Sequence, residues 1–166
     1  QNAIARNIIN SRVKEVGAHI SWVGPLNENW ELGLKGSFQK QNAAVAYMVA
    51  QILIEKGWRI RQDDIKKGLA NTKWPGRLEI IDFENNKILI DSAHNSSAAK
   101  VLSFERENWL NQEKGVYWII GVQKHKNITL IIQNLIKSID TVLLVPVPNQ
   151  ESWSLSDITN ISDLKL

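Results

Sequence analysis

The apolar run Ile88-Leu89-Ile90 breaks into Asp91-Ser92-Ala93-His94-Asn95 and then into a helical pattern. This strand-to-helix junction constrains the fold more than any other stretch. Open α/β sheets put their ligands outside the carboxyl ends of strands, and here such an end carries an acid, an imidazole and an amide. Just upstream, Trp74-Pro75-Gly76-Arg77 sets a lone Arg behind a Pro-Gly break. Together the two stretches hold polar groups suited to a phosphate and to a base or ribose.

Downstream of the break, strands alternate with helices. Leu78 to Phe83 and Lys87 to Ile90 read as strands around a hairpin-like turn at Asn85-Asn86. Ser97 to Leu110 reads as a helix capped by Asn95 or Ser96. Val116 to Val122 is a buried strand, and Thr141 to Val147 another. Between them Asn127 to Ile139 is a helix with Ile128, Ile131, Ile132, Leu135 and Ile136 on one side. This order predicts an α/β fold with parallel pairing and right-handed crossovers. The tail from Gln150 holds one weak helical start, Ser156-Asp157, and reaches Leu166 with no closing element.

Upstream, residues 3 to 16 have helical apolar spacing and Gly17 is a stop. Two strand-like runs follow, His19 to Val23 and Trp30 to Leu34. Gln41 to Lys56, Ala-rich and ended by Gly57, reads as a buried helix. A shorter helix opens near Asp63-Asp64, capped by Asp63 or Gln62, and runs to Leu69. Ala70 to Pro75 reads as a linker.

Bulk composition excludes more than it selects. A chain of 166 residues with 43% hydrophobic and 22% charged residues is an ordinary globular composition, one domain or two small pieces. There is no cysteine, hence no disulfide framework and no thiolate metal site. The longest apolar stretch, Ala43 to Ala50, is far short of the ~20 residues that span a bilayer. The amino end shows no signal-peptide pattern. A net charge of +3 is spread along the chain as a solvated basic surface, compatible with anionic small ligands and not excluding nucleic acid. Seven dispersed tryptophans suit packing better than a base-stacking platform.

The residue patterns leave several roles open. Asp91 and His94 suit a catalytic pair, nucleotide contacts or helix capping. Arg77 suits a phosphate or an exposed position on an edge strand. Asn42 suits a ligand contact or an N-cap. Lys126, within Gln123-Lys124-His125-Lys126-Asn127, lies on a basic strand-to-helix turn that suits an anion. The three histidines and scattered acids form no metal-ligand pattern. No Gly-Lys dipeptide occurs, so the chain carries no P-loop of its own.

Three blocks, in order, resemble one family. Leu34-Lys35-Gly36-Ser37-Phe38-Gln39-Lys40-Gln41-Asn42-Ala43-Ala44 is similar to its L-x-G-x-H-Q-x-x-N-A-x block. Trp74-Pro75-Gly76-Arg77-Leu78-Glu79 resembles W-P-G-R-L-E, and Asp91-Ser92-Ala93-His94-Asn95 resembles D-G-A-H-N. The family is folylpolyglutamate synthase/dihydrofolate synthase, of the Mur ligase superfamily, and the likeness runs from about Leu34 to Pro148. Phe38 stands where the family has His, and Ser92 where it has Gly. Around Lys126, His125 and Asn127 replace the acids of a D-K-D loop.

The resemblance implies an α/β chain in three parts. Residues 1–70 would end a central ATP-binding domain, 71–77 would be a linker, and 78–166 would form an incomplete Rossmann-like carboxyl-terminal ligase domain with a parallel sheet. It implies ATP contacts from Asn42 on the adenine side, Arg77 on the phosphates, and Asp91 with His94 beside it; Lys126 would be a further anion contact. The activity implied is ATP-dependent addition of L-glutamate to dihydropteroate or folate through an acyl phosphate, with Mg2+. The P-loop, the metal ligands and the catalytic residues would lie upstream of Gln1, leaving this piece inactive alone. The partners implied are these small molecules, with no nucleic acid and no membrane, in a cytoplasmic enzyme that is a monomer at full length. A different Mur-type amino-acid ligase is one rival. Gln39, where those enzymes carry Asn, and the Trp74 block favour the folate branch. A non-catalytic nucleotide-binding module is the other.

Overall fold

The computed structural model describes residues 3–109 and 115–159. Contacts divide the chain into two compact units, Gln1–Leu34 with Phe38–Lys73, and Lys35–Ser37 with Trp74–Leu166.

The first unit is helical. α1 spans Ala3–Val16 and ends at Gly17, whose φ of +65° suits a residue without Cβ. α2 spans Gln39–Glu55 and stops before Gly57, at φ +89°. α3 spans Gln62–Asn71. Three expectations change here. The runs His19–Val23 and Trp30–Leu34 are not strands: Leu26 N–H bonds Lys40 O and Gly33 N–H bonds Leu69 O, so flanking backbone is spent on helices and no ladder forms. α2 is not buried all round: Gln39, Ala43 and Ala44 are buried, whereas Val45, Val49 and Ile52 are exposed. The linker is shorter than read, because Ala70 and Asn71 form the last turn of α3.

α3 is capped by Arg61, not by Asp63 or Gln62. The Arg61 N–H donates to Asp64 Oδ2 at 3.1 Å, and its guanidinium grips the same carboxylate at 3.0 and 2.9 Å. Those bonds hold the Asp64 carboxyl down at about 2.

The second unit is α/β. β1 (Glu79–Phe83) and β2 (Asn86–Ile90) pair antiparallel, with Phe83 opposite Asn86. The turn is therefore Glu84-Asn85, one residue earlier than Asn85-Asn86. α4 covers Ser96–Trp109, and Asn95 caps it by accepting the Ala98 N–H at 2.8 Å. Leu110, read as its end, lies outside the described residues. β3 (Tyr117–Ile120) pairs in parallel with β4 (Thr141–Leu144), joined through α5 (Ile128–Leu135). α6 covers Leu155–Thr159. The tail's end at Leu166 also lies outside the described residues.

The expected parallel sheet is present, with two strands. β2 is not one of them: a two-residue turn lets it pair with the neighbouring β1, while α4 packs on α5. The core comes from one stripe of α5, Ile128, Ile131, Ile132 and Leu135, with Ala99 and Leu102 of α4, Ile120 and Val122. α5 ends four residues before Ile139. The reason is Asp140, whose carboxylate accepts the Lys137 N–H at 2.8 Å and turns the chain there.

Candidate functional site

Two of the sequence blocks meet at the carboxyl end of β2. Gly76 takes a φ of +70° and its carbonyl accepts the Ser92 N–H at 2.9 Å. Its own N–H donates to Glu79 Oε2 at 2.8 Å. Arg77 donates through Nη1 to Ser92 Oγ. Asp91, half-buried, accepts the Leu78 N–H at 3.0 Å and the Ala93 N–H at 2.8 Å. Leu78 is buried and holds φ +44°, so the Asp91 carboxylate satisfies an N–H that a strained turn would otherwise orphan.

These bonds separate the alternatives left open by spacing. Capping of α4 belongs to Asn95. His94 Nδ1 donates to the Ser92 carbonyl at 2.9 Å, which leaves Nε2 of an exposed ring available. Each Asp91 oxygen takes one backbone bond and retains acceptor capacity. Arg77 is exposed and has no carboxylate partner among the described residues, so its remaining N–H donors can meet an anion.

Asn42 belongs to the first unit. It sits in the first turn of α2, not at the N-cap, which is Phe38. Its Nδ2 donates to Oε1 of buried Gln39 at 2.9 Å. Both line a pocket of about 220 Å³ with mostly apolar walls, among them Leu32, Leu34, Ala43 and Leu69. That is below the ~300 Å³ at which drug-sized pockets begin, so it suits one planar ring.

The basic turn after β3 is more built than its sequence suggests. Lys124 Nζ pairs with Asp157 Oδ1 at 2.6 Å and lies 4.5 Å from the centre of the Trp153 ring. Ser154 caps α6 through the same acid: its N–H and hydroxyl donate to Asp157 Oδ2 at 3.0 and 2.6 Å. Lys124, then Ser154, hold the Asp157 carboxyl well below the usual range. Of the two lysines here, Lys126 has no ion-pair partner among the described residues. Sequence reasoning missed Trp153 and Asp157. The Ser154-x-x-Asp157 capping signature was the available cue to the acid.

Comparison with known proteins bears on this arrangement. The model of the dihydrofolate synthetase carboxyl-terminal domain matches residues 77–151. A probable dihydrofolate synthetase of Schizosaccharomyces pombe is 35% identical over 112 residues, 66% of this chain and 27% of that protein. A folylpolyglutamate synthase of Lacticaseibacillus casei is 33% identical over 119 residues, 71% of this chain and 27% of that protein. The chain spans between 27% and 42% of the length of the first curated relatives it matches. A crystal structure of a bifunctional folylpolyglutamate synthase/dihydrofolate synthase, with Mn, AMPPNP and L-glutamate bound, superposes with a TM-score of 0.70. At 18% identity it covers 91% of this chain and 39% of that one, which shows the shared fold. The chain belongs to the folylpolyglutamate synthase/dihydrofolate synthase family and carries the α/β carboxyl-terminal ligase domain of that family.

Proposed function

We propose that this chain contributes nucleotide contacts to a cytoplasmic, ATP-dependent ligase that adds L-glutamate to dihydropteroate or to a folate. The observation that carries this reading is the junction at the end of β2. There Arg77 and Asp91, 14 positions apart in sequence, are held by one set of short bonds, through Ser92 and Leu78. An exposed guanidinium beside a carboxylate that is fixed by two N–H groups is a preorganised pair. The cation meets phosphate oxygens, and the acid meets the hydroxyls or N–H groups of the same nucleotide. In the first unit, taken by itself, the pocket at Asn42 suits a flat base, because an amide matches the donor–acceptor edge of adenine. Lys126 contributes a further anion contact.

In the proposed reaction a substrate carboxylate attacks the terminal phosphorus of ATP, and ADP leaves. The amine of glutamate then attacks the acyl carbon; the amide forms and phosphate leaves. Arg77 would neutralise charge on the transferring group and the leaving ADP, and Asp91 would hold the nucleotide in register. Among the described residues no three His, Cys, Asp or Glu side chains converge. The roles above rest on Arg77, Asp91 and Asn42 alone, and Mg2+ in such a reaction would be held largely by the nucleotide's own phosphates and by ligands outside these residues.

The test is ATP titration of the purified chain and of Arg77 variants by calorimetry. Arg77→Ala should weaken binding by about tenfold or more, the scale of one charge-assisted hydrogen bond. Arg77→Lys should restore only part, since the planar fork is lost. Equal affinity in all three would refute the phosphate role.

A further inference from the structure

Both backbone groups of Lys126 are tied down. Its N–H donates to the Gln123 carbonyl at 3.0 Å, which closes the turn from within. Its carbonyl accepts the Trp153 Nε1–H at 2.9 Å, from a residue 27 positions away. The same indole is laid along this loop. Trp153 N–H bonds Val122 O at 3.0 Å, and Lys124 N–H bonds Glu151 O at 2.8 Å. Gln123 and Ser152 make an antiparallel bridge between those bonds. Lys124 is then locked twice over, on the Trp153 face and against Asp157. A buried or half-buried indole with a satisfied N–H, a cation on its face and a carboxylate behind that cation is a rigid clamp. It consumes Lys124 and leaves the Lys126 ammonium as the cation without an acidic partner in this loop.

We propose that Trp153 and Asp157 are positioning residues: they hold the 123–127 turn so that Lys126 presents its ammonium to an anionic group of a substrate, a carboxylate or a phosphate. The proposal rests on the reading of Lys126 as an anion contact given above. Lys124 is assigned the opposite part, a cation spent on holding the loop. A flexible four-carbon stem such as that of Lys126 gains precision when its main chain cannot move.

The two ideas are separable by nuclear magnetic resonance on the isotope-labelled chain. Separate titrations use L-glutamate, inorganic phosphate and ATP, and follow the amides of Lys124 and Lys126 and the Trp153 indole. At least one of these anions should shift the loop, and the arm that does so identifies the anionic group. Lys126→Met should abolish the shifts. Trp153→Phe keeps an aromatic face under Lys124 and deletes only the N–H to Lys126. It should weaken binding about three- to tenfold, the worth of one neutral hydrogen bond. Asp157→Asn should act in the same direction. Unmoved Trp118 indole and Val116 amide signals would show that the sheet is intact in each variant. Wild-type affinity in both Trp153→Phe and Asp157→Asn, with Lys126→Met failing to bind, overturns the clamp and leaves the Lys126 contact standing. Shifts that persist in Lys126→Met, or no shift with any of the three anions, overturn that contact and the clamp with it.

Discussion

Among the described residues, Asp140 gathers five hydrogen bonds on one carboxylate. Arg106 supplies two in a bidentate fork, both 2.7 Å, and the Val116 N–H, Trp118 Nε1–H and Lys137 N–H supply the others at 2.9, 3.0 and 2.8 Å. The pair is sealed: the side chains are 5% and 0% exposed. Burial alone would push the Asp140 carboxyl up. The Arg106 guanidinium and the three N–H groups outweigh it and hold the carboxyl at about 2. The folded value thus lies below the unfolded one of about 3.9. The stabilisation is complete above about pH 4 and is lost as the pH falls through 2, and urea midpoints measured from pH 5 to pH 2 should fall accordingly. Removing either partner has unequal consequences. Asp140→Ala leaves a buried guanidinium with the Leu135 carbonyl, at 2.9 Å, and the Trp118 ring, at 5.8 Å, but no counter-charge among the described residues, and should cost about 3–5 kcal/mol. Arg106→Leu leaves the carboxylate three N–H donors and should cost less. Urea unfolding of the two variants ranks them, and a larger loss in Arg106→Leu contradicts this account.

At the scale of elements, the β1–β2 hairpin turns on Glu84 at φ +51°, a conformation that suits Gly or Asn at the first position of a two-residue turn. Glu84→Asn should therefore stabilise by about 0.5–1 kcal/mol, and Glu84→Val should destabilise by a similar amount. A thermal melt of both variants measures the spread, and identical melting temperatures would contradict it. What the sequence made legible follows the same local logic. The α5 stripe was readable because four apolar residues at helical spacing leave one solution. The cap of α4 was readable to within two residues, Asn95 or Ser96, both cap-forming types, and the bond to Ala98 selects Asn95. The meeting of Arg77 with Ser92 could be expected only through family likeness, since no local pattern joins residues 15 apart. His19–Val23 and Trp30–Leu34 misled because strand propensity needs a partner edge, and their neighbours bond to helices. The extent of α5 misled because the stop signal, Asp140, acts from beyond the helix.

Across the second unit, the buried residues include the α5 stripe, Ala99 and Leu102 of α4, and Ile120 of β3. The alternate residues Tyr117, Ile119 and Leu143 are 80%, 73% and 48% exposed. Parallel strands are ordinarily covered on both faces, and contiguous apolar surface of this kind drives association. Ile119→Lys should lower self-association of the chain in light scattering without lowering its urea midpoint. A variant that associates as strongly as the wild type would show that another surface is responsible. The Asp140 carboxylate has a further meaning at this scale, in time instead of energy. It draws together Arg106, Val116 and Lys137, up to 34 positions away in sequence. Bringing groups so far apart in sequence onto one carboxylate carries a loop-closure entropy that local helical contacts do not. A contact formed only after the folding barrier slows unfolding and leaves the folding rate untouched. Asp140 would then act as a latch on the rate at which the α/β unit opens.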